Sequence, residues 1–216
     1  MGERGGRRLT IEELGRETVF RGYYRLERLA LRFELFGGGM SAQVSREVFR
    51  SGDSVALLPY DPARDAVLLI EQFRPGPHAA GAPAWLLEIV AGRMEDGETP
   101  EEVARRETEE EAGLVPAEIL PVGGYYVSPG DSAQFVHVFC GHVDLSGRDE
   151  SLHGLAHENE DIRGIVVPAD EALARLDAGG ITASPAVVAL NWLGRRRADL
   201  RARWLGTRPA PSGCRA

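Results

Sequence analysis

The segment GRMEDGETPEEVARRETEEEAGL, residues 92–114, decides how the rest of the chain is interpreted. Its second half predicts a short helix on which Glu107, Glu110 and Glu111 share one face, because residues three and four apart are helical neighbours. Like charges at this spacing destabilise a bare helix, so we expect positive charge among them. Ligands that are all oxygen atoms favour a hard cation, Mg²⁺ or Mn²⁺, over zinc. A solvated acidic face is the alternative interpretation.

Both ends of this helix carry terminal signals. Thr99 is a suitable N-cap, Pro100 suits the first helical position, and Glu102 completes a capping box. Gly113 supplies the left-handed residue that ends a helix. Arg106 is expected to pair with the carboxylates and fix their rotamers; the alternative is an ordinary surface ion pair. Two apolar residues are predicted to face the body of the protein: Val103 and Ala104.

The composition describes a globular chain with an acidic balance. Of its 216 residues, 43% are hydrophobic and 27% charged, and the formal net charge is -8. This charge argues against binding to nucleic acid or anionic membranes, although a metal ion can supply positive charge for a phosphate substrate. No apolar run approaches membrane-spanning length and the first residues lack a signal-peptide core, so we expect a cytoplasmic protein. Cys140 and Cys214 lack metal-ligand spacing and are expected to be free thiols.

The hydrophobic pattern is dominated by short extended segments. Strands are predicted at 17–35, 43–49, 54–59, 66–73, 85–90, 118–127, 135–143 and 162–167. A loop is expected at 91–92, and helices at 170–177 and, after a Ser184-Pro185 cap, at 185–199.

Strands mixed with few helices predict an α+β sandwich rather than a doubly wound sheet. We expect four regions: a flexible arm at 1–12, an antiparallel strand subdomain at 13–52, the main domain at 53–200, and a flexible tail at 201–216. Neither an internal repeat nor a second catalytic domain is apparent in the sequence.

Segment 92–114 resembles the signature of the Nudix hydrolases, GX5EX7REUXEEXGU, where U is a bulky aliphatic residue. Every fixed glycine, arginine and glutamate is present, and Leu114 fills the last U. Thr108, at the middle U, is the one departure, and we expect it to weaken packing beneath the helix slightly. The resemblance implies a Nudix fold, an α/β/α sandwich of mixed sheet, and attack of metal-activated water on a phosphoanhydride.

Further segments resemble bacterial ADP-ribose pyrophosphatases within that family: 21–24, 40–49, 71–74, 85–88, 128–130 and 158–161. Pro129 also stands 15 residues beyond Leu114, as in this branch. The resemblance implies hydrolysis of ADP-ribose to AMP and ribose 5-phosphate by a homodimer with swapped N-terminal strands, using two or more Mg²⁺ ions per site, with Mn²⁺ as a substitute. The alternatives are another nucleoside diphosphate sugar, such as GDP-mannose, and a nucleotide-sensing Nudix-fold module.

The resemblance also implies roles for individual residues. The metal ligands would be the carbonyl of Ala91 and the carboxylates of Glu107, Glu111 and Glu160. The catalytic groups would be the general base Glu158, Glu110 as a helper of the metal-binding carboxylates, and the orienting Arg106. The substrate contacts would be Tyr23, Tyr24, Arg46 and Glu47 at the adenine end, Arg74 at the phosphates or ribose, and Ser128, Pro129, Gly130 and Gln134 at the terminal ribose.

Two positions depart from this branch, and several have a simpler interpretation. Ser51 replaces a substrate-binding arginine and Gln134 a glutamate, which puts the fine sugar contacts in doubt. Tyr23 and Tyr24 could be ordinary strand residues, and Arg74 a surface cation. The acidic loop at 158–161 could be solvated only.

Overall fold

The computed structural model of this chain describes residues 9–155 and 159–206. These residues form two compact units. The first unit runs to Gly52 and also includes Tyr126–Phe135. The second unit comprises Asp53–Tyr125 and the residues from Val136 onward.

The first unit contains a three-stranded antiparallel sheet in the order β1-β2-β3. Its strands are β1 (Ile11–Arg21), β2 (Arg25–Phe33) and β3 (Val44–Arg50). The segment 17–35, predicted as one extended run, is a hairpin whose chain reverses at Gly22, which donates to the carbonyl of Tyr24 at 2.9 Å. Ile11 pairs with Phe33, so regular structure begins inside the segment expected to be an arm.

The second unit is built on an eight-stranded mixed sheet in which only β4 and β9 are parallel among the pairs with a defined register. Its strands are β4 (Ser54–Asp61), β5 (Ala66–Phe73), β6 (Trp85–Glu88), β7 (Val90–Arg93), β8 (Glu118–Tyr126), β9 (Phe135–His142), β10 (Glu150–His153) and β11 (Ile162–Pro168). The main path runs β10-β11-β5-β4-β9-β8. The sequence missed β10 because it is a four-residue strand with little periodicity.

The sheet splits between β4 and β5. These strands pair with each other only at Tyr60 and Asp61, and the first half of β4 pairs with β7 instead. The chain therefore leaves the edge of β5 after β6 and joins β4 one residue later. The predictions of a single strand at 85–90 and a loop at 91–92 are wrong, because Ile89 separates two strands and the register places residues 91–92 in β7.

The described residues contain four helices. They are α1 (Pro75–Ala79), α2 (Pro100–Ala112), α3 (Ala169–Asp177) and α4 (Ser184–Trp204). Of these, α2, α3 and α4 pack on this sheet. The predicted Ser184 cap of α4 is wrong: Ala183 occupies the N-cap position and no side chain bonds there. The helix continues past its predicted end at 199, and the indole of Trp204 donates to Glu118 at 2.8 Å. Within the described residues, no helix is both long and apolar enough to span a bilayer.

Alternate residues of β4 and β5 supply two cores, one on each face of the sheet. On one face, Leu58 and Leu69 pack in the cluster that contains Leu190 of α4. On the other face, Leu57 packs with Val103 of α2. The α+β sandwich prediction is therefore confirmed, with α3 and α4 on one face and α2 on the other. Cys140 is a buried free thiol, as expected, whereas Cys214 lies outside the described residues.

Candidate active site

The predicted capping signals of α2 are all present. Thr99 accepts from the amide of Glu102, whose carboxylate accepts in turn from the amide of Thr99 at 2.8 Å. Gly113 closes the helix at φ 58°. Arg148, which the sequence analysis missed, donates to the carbonyl of Gly113 at 2.8 Å and places positive charge at the negative end of the helix dipole. These contacts fix the position of the acidic face of α2.

Glu107 leaves the helix toward β7 and lies against Gly92. A β-carbon added to Gly92 would stand 1.7 Å from a carboxylate oxygen of Glu107. The first glycine of the segment is therefore required by a close approach, since only a residue without a side chain leaves room for this carboxylate. Burial, reinforced by Glu110 and Glu160, raises the pKa of Glu107 despite its contact with Arg106.

Arg106 provides the positive charge that the spacing of the glutamates calls for. Its guanidinium donates to Glu98 at 3.0 Å, to Glu107 at 2.7 Å and to Glu110 at 3.2 Å. It also reaches the carbonyl of Arg93 at 3.3 Å. One planar fork of five donors thus connects three carboxylates and a carbonyl, which is more bonds than the three donors of a lysine can make.

Glu111 is the most deeply buried acidic group of the segment, with 3% of its surface exposed. The amide of Ala91 donates to one of its oxygens at 2.8 Å. Burial raises the pKa of Glu111 to about 8, and the like charges of Glu107 and Glu160 add to this shift. The hydrogen bond from Ala91 and the charge of Arg74 oppose it. The free energy cost of ionising this carboxylate is one that a bound cation would remove.

Arg74 stands at the end of β5 and forms a two-pronged ion pair with Glu88. Its Nε and Nη2 atoms donate to the two oxygens of Glu88, each at 2.9 Å. Burial alone would lower the pKa of Arg74, but Glu88, together with the charges of Glu111 and Glu160, raises it. Sequence reasoning found Arg74 and missed Glu88, which lies at the end of a strand and resembled a structural residue.

The donor set suits a hard divalent cation, because it consists of carboxylate and carbonyl oxygens. Within residues 9–155 and 159–206, no three carboxylate, imidazole or thiol side chains stand in an arrangement that could hold a metal ion. Glu107 is bonded to Arg106 through one oxygen, and Glu111 to the amide of Ala91 through one oxygen. The second oxygen of each carboxylate could bind a cation while these bonds are kept.

Glu160 is one of the two remaining acidic residues of the prediction. It lies in the loop before β11, and its amide donates to the carbonyl of Leu155 at 3.3 Å. Its charge acts on Glu107 and on Glu111, so the structure brings it to the carboxylate group of α2. Glu158, the predicted general base, lies outside the described residues.

Several predicted substrate residues come together in the first unit. Tyr24 packs against Tyr23 at 4.7 Å and against Phe49 at 4.8 Å between ring centroids. The tyrosines lie in the connection between β1 and β2, so the interpretation as ordinary strand residues is wrong. Phe49 was not predicted; its signal is an aromatic residue on β3, two positions after Glu47. Glu47 itself accepts from Arg28 at 3.0 Å.

The predicted terminal-ribose residues form a turn in the same unit. The carbonyl of Ser128 accepts from the amides of Asp131 at 3.2 Å and Ser132 at 2.8 Å, which encloses Pro129 and Gly130. The turn is joined to β3 because the amide of Phe49 donates to the carbonyl of Asp131 at 2.7 Å. The carbonyl of Gln134 accepts from Val127 at 3.2 Å, and Arg46 is exposed on β3.

The positions that depart from the family pattern are locally satisfied. Thr108 is fully buried, and its hydroxyl donates to the carbonyl of Ala104 at 2.6 Å. Ser51 is buried, and its hydroxyl donates to the carbonyl of Gly52 at 3.2 Å. The backbone N–H of Gln134 donates to the hydroxyl of Ser132 at 3.2 Å. Neither Ser51 nor Gln134 carries the charge of the family residue that it replaces.

Comparison with known proteins places this geometry in context. The family model described as NUDIX domain matches residues 50–187. A protein of Escherichia coli (strain K12) named ADP-ribose pyrophosphatase is 42% identical over 194 residues, which cover 90% of this chain and 92% of that protein. A protein of Pectobacterium atrosepticum named GDP-mannose pyrophosphatase is 34% identical over 160 residues, covering 74% and 81%.

The solved structures give the same fold. A crystal structure described as an ADP compounds hydrolase superposes with a TM-score of 0.63 and covers 88% of this chain and 97% of its own. Its sequence is 22% identical, so this likeness bears on the fold alone.

Proposed function

The chain belongs to the NUDIX domain family, and on that premise we propose that it hydrolyses ADP-ribose to AMP and ribose 5-phosphate in a reaction that depends on Mg²⁺. The observation that carries the proposal is the 42% identity, over 90% of the chain, to a protein named ADP-ribose pyrophosphatase. In addition, the chain has every fixed glycine, arginine and glutamate of the Nudix signature. The acidic face of α2 supports the metal dependence.

The oxygen groups around β7 and α2 would hold the ions. They are the carbonyl of Ala91 and the carboxylates of Glu107, Glu111 and Glu160. Two or more Mg²⁺ ions, or Mn²⁺ as a substitute, would neutralise the anhydride, lower the pKa of a bound water and stabilise the leaving phosphate. Without that charge, the diphosphate would be repelled by the carboxylates of α2.

The remaining roles belong to side chains. Glu158 accepts the proton of the attacking water, and Glu110 assists Glu107 and Glu111 in binding the metal ions. Arg106 keeps Glu107 in place, since it already binds that carboxylate at 2.7 Å. Arg74 donates to the phosphates or the ribose from the end of β5. Closure of the loop that contains Glu160 completes the site only around bound substrate.

The resemblance implies which residues would hold the two ends of the substrate. The adenine lies against Tyr23 and Tyr24, whose rings offer an aromatic surface, with Arg46 and Glu47 nearby on β3. The terminal ribose lies at the turn of residues 128–130, with Gln134 in place of a glutamate. We infer that the active protein is a cytoplasmic homodimer with exchanged N-terminal strands, so that the adenine contacts come partly from the partner subunit.

A panel of sugar nucleotides tests the substrate. The kcat/KM values for ADP-ribose, GDP-mannose and other nucleoside diphosphate sugars are compared in the presence of Mg²⁺. We expect ADP-ribose to be preferred by at least about tenfold, the factor given by 1.4 kcal/mol of differential binding. A preference for GDP-mannose would favour the second candidate, which the 34% identical relative supports. Absence of hydrolysis with nucleotide binding retained would indicate a sensing module.

Two further measurements test the site and the assembly. Glu107→Gln and Glu111→Gln should each lower kcat by about 100-fold or more, as losses of metal-binding groups do. Near-normal turnover in either variant would refute the metal assignment. Full activity of the Glu158→Gln variant would show that another group is the general base. If light scattering shows a monomer, no partner subunit is present to make the contacts assigned to it.

A further inference from the structure

The backbone at Arg74 is fixed by its neighbours on both sides. Phe73 pairs with Trp85, and the amide of Arg74 continues this ladder by donating to the carbonyl of Ala84 at 2.7 Å. Pro75 follows, which restricts the preceding residue to extended backbone, and Arg74 has φ -127° and ψ 122°. The starting point of its side chain is therefore set by the strand.

The side chain of Arg74 runs back along β5 to Glu88. Glu88 pairs with Ile70, which lies four residues before Arg74, so all three side chains are on the same face of the sheet. Both oxygens of Glu88 accept from the guanidinium at 2.9 Å. Glu88 is only 6% exposed, which makes this a strong and geometrically specific pair.

A second carboxylate lies near the same guanidinium. Glu111 is bonded to the amide of Ala91, three residues after Glu88, and the charges of Glu111 and Glu160 act on Arg74. One oxygen of Glu111 accepts from Ala91, and no other partner of this carboxylate is found among the described residues. A buried carboxylate that lacks a cation is a strong attractor for any nearby arginine. Without Glu88, Arg74 would pair with Glu111.

We propose that Glu88 is a positioning residue that keeps Arg74 away from Glu111, so that Glu111 remains available to a divalent cation. This inference rests on the proposed function. The pair with Glu88 uses two of the five N–H groups of Arg74, and the other three stay free for a diphosphate. Glu88 also cancels the charge of Arg74, which reduces its repulsion of a cation bound nearby.

A calorimetric titration with Mn²⁺ alone, at one pH and without substrate, tests this inference on the full chain. We expect Glu88→Gln to weaken Mn²⁺ binding by about 10- to 100-fold, because the released Arg74 occupies Glu111. The double variant Glu88→Gln/Arg74→Met should bind Mn²⁺ within about threefold of wild type, since the competitor is gone. Arg74→Met alone should keep Mn²⁺ affinity and raise the KM for ADP-ribose.

Glu71→Gln is the matched control. Glu71 precedes Gln72 on the same strand, pairs with Arg163 and faces away from α2. Its loss removes a strand carboxylate and an ion pair without touching Arg74, so Mn²⁺ affinity should not change. If Glu88→Gln does not fold, as judged by circular dichroism, Glu88→Asp keeps the buried charge but shortens the reach. It should show the same weakening and the same recovery when Arg74→Met is added.

The outcomes separate this inference from the proposed function. A wild-type protein that binds no Mn²⁺ and cleaves no sugar nucleotide would refute the proposed function. Normal Mn²⁺ binding by a folded Glu88→Gln variant would refute only the role of Glu88. Weak binding that persists in the double variant would also refute it, because a purely structural role for Glu88 is not relieved by removing Arg74.

Discussion

The carboxylate of Glu107 occupies the space that a side chain on Gly92 would need. A β-carbon there would lie 1.7 Å from an oxygen and 1.9 Å from the carboxyl carbon of Glu107. The obstruction is the end of a flexible side chain, so it can move without disturbing the strand or helix. The fold therefore tolerates a methyl group at residue 92, but the carboxylate of Glu107 would have to leave its present position.

Gly92→Ala should therefore lower activity much more than stability. We expect kcat/KM to fall by about 100-fold, since a displacement of roughly 1 Å in a site has this effect. The free energy of unfolding should change by less than about 1 kcal/mol. Gly37→Ala is the control, because nothing lies within 4 Å of its added carbon. Comparable activity of the two variants would show that Glu107 need not stand where it does.

The raised pKa of Glu111 predicts how stability depends on pH in the metal-free protein. The pKa is about 8 in the fold, against 4.5 for a free glutamate side chain, so the folded state holds the proton more tightly. The stability that this proton contributes is complete below the unfolded value and is lost as the pH rises through the folded value. Urea unfolding in a chelator should show a decline between about pH 5 and pH 8, on the order of a few kcal/mol at most.

Glu111→Gln should flatten that decline, because the amide has no charge to bury. Above about pH 8 the variant should be more stable than the metal-free wild type. Addition of Mg²⁺ should raise the stability of the wild type alone, because the cation offsets the buried charge. Parallel pH profiles for the two proteins would contradict this assignment.

Arg106 should hold the acidic face together until a cation arrives. Arg106→Gln leaves Glu98, Glu107 and Glu110 without their shared partner, and we expect the metal-free free energy of unfolding to fall by about 1–3 kcal/mol. Mg²⁺ should recover part of this loss, since it neutralises the same carboxylates. Urea unfolding with and without Mg²⁺ measures both effects.

Arg175→Gln provides the comparison for Arg106. Arg175 pairs with Glu171 one helical turn away, and both side chains are largely solvated. Such a pair contributes about 0.5 kcal/mol or less, and Mg²⁺ should not change this. If Arg106→Gln lowers the free energy of unfolding no more than Arg175→Gln does, Arg106 forms only an ordinary surface ion pair. This is the alternative left open by the sequence.

The sequence predicts best where the cause of a structure is local. The caps at Thr99 and Gly113 depend on residues within one turn of the helix, and they are found where expected. The apolar runs of β4 and β5 identify central strands because both faces of these strands are buried. The orientation of α2 follows from these features, since its apolar residues Val103 and Ala104 pack in the core.

Prediction from the sequence fails where partners are distant along the chain. The break at Ile89 depends on a choice between the edges of two strands, and nothing near residue 89 signals it. Glu88 is 14 residues from Arg74, and Arg148 is 35 residues from Gly113, so neither pairing has a spacing rule. The aromatic group at Phe49 and Tyr24 arises from sheet register, which a single sequence does not specify.

Gln72 retains an unsatisfied polar group inside the protein. It is 7% exposed, and its Nε2 atom has no hydrogen-bond partner in the part of the chain that the structure describes. A buried donor without a partner costs about 1–3 kcal/mol. Gln72→Met keeps the length of the side chain and replaces the amide with a thioether, so the free energy of unfolding should rise by about 1 kcal/mol.

The matched change is Gln43→Met, at an exposed position before β3. No buried amide is removed there, and the free energy of unfolding should stay within about 0.5 kcal/mol of wild type. Urea unfolding of both variants under the same conditions gives the comparison. If Gln72→Met is less stable than wild type, the amide of Gln72 is hydrogen-bonded to water in solution. The amide then does not lower the free energy of unfolding.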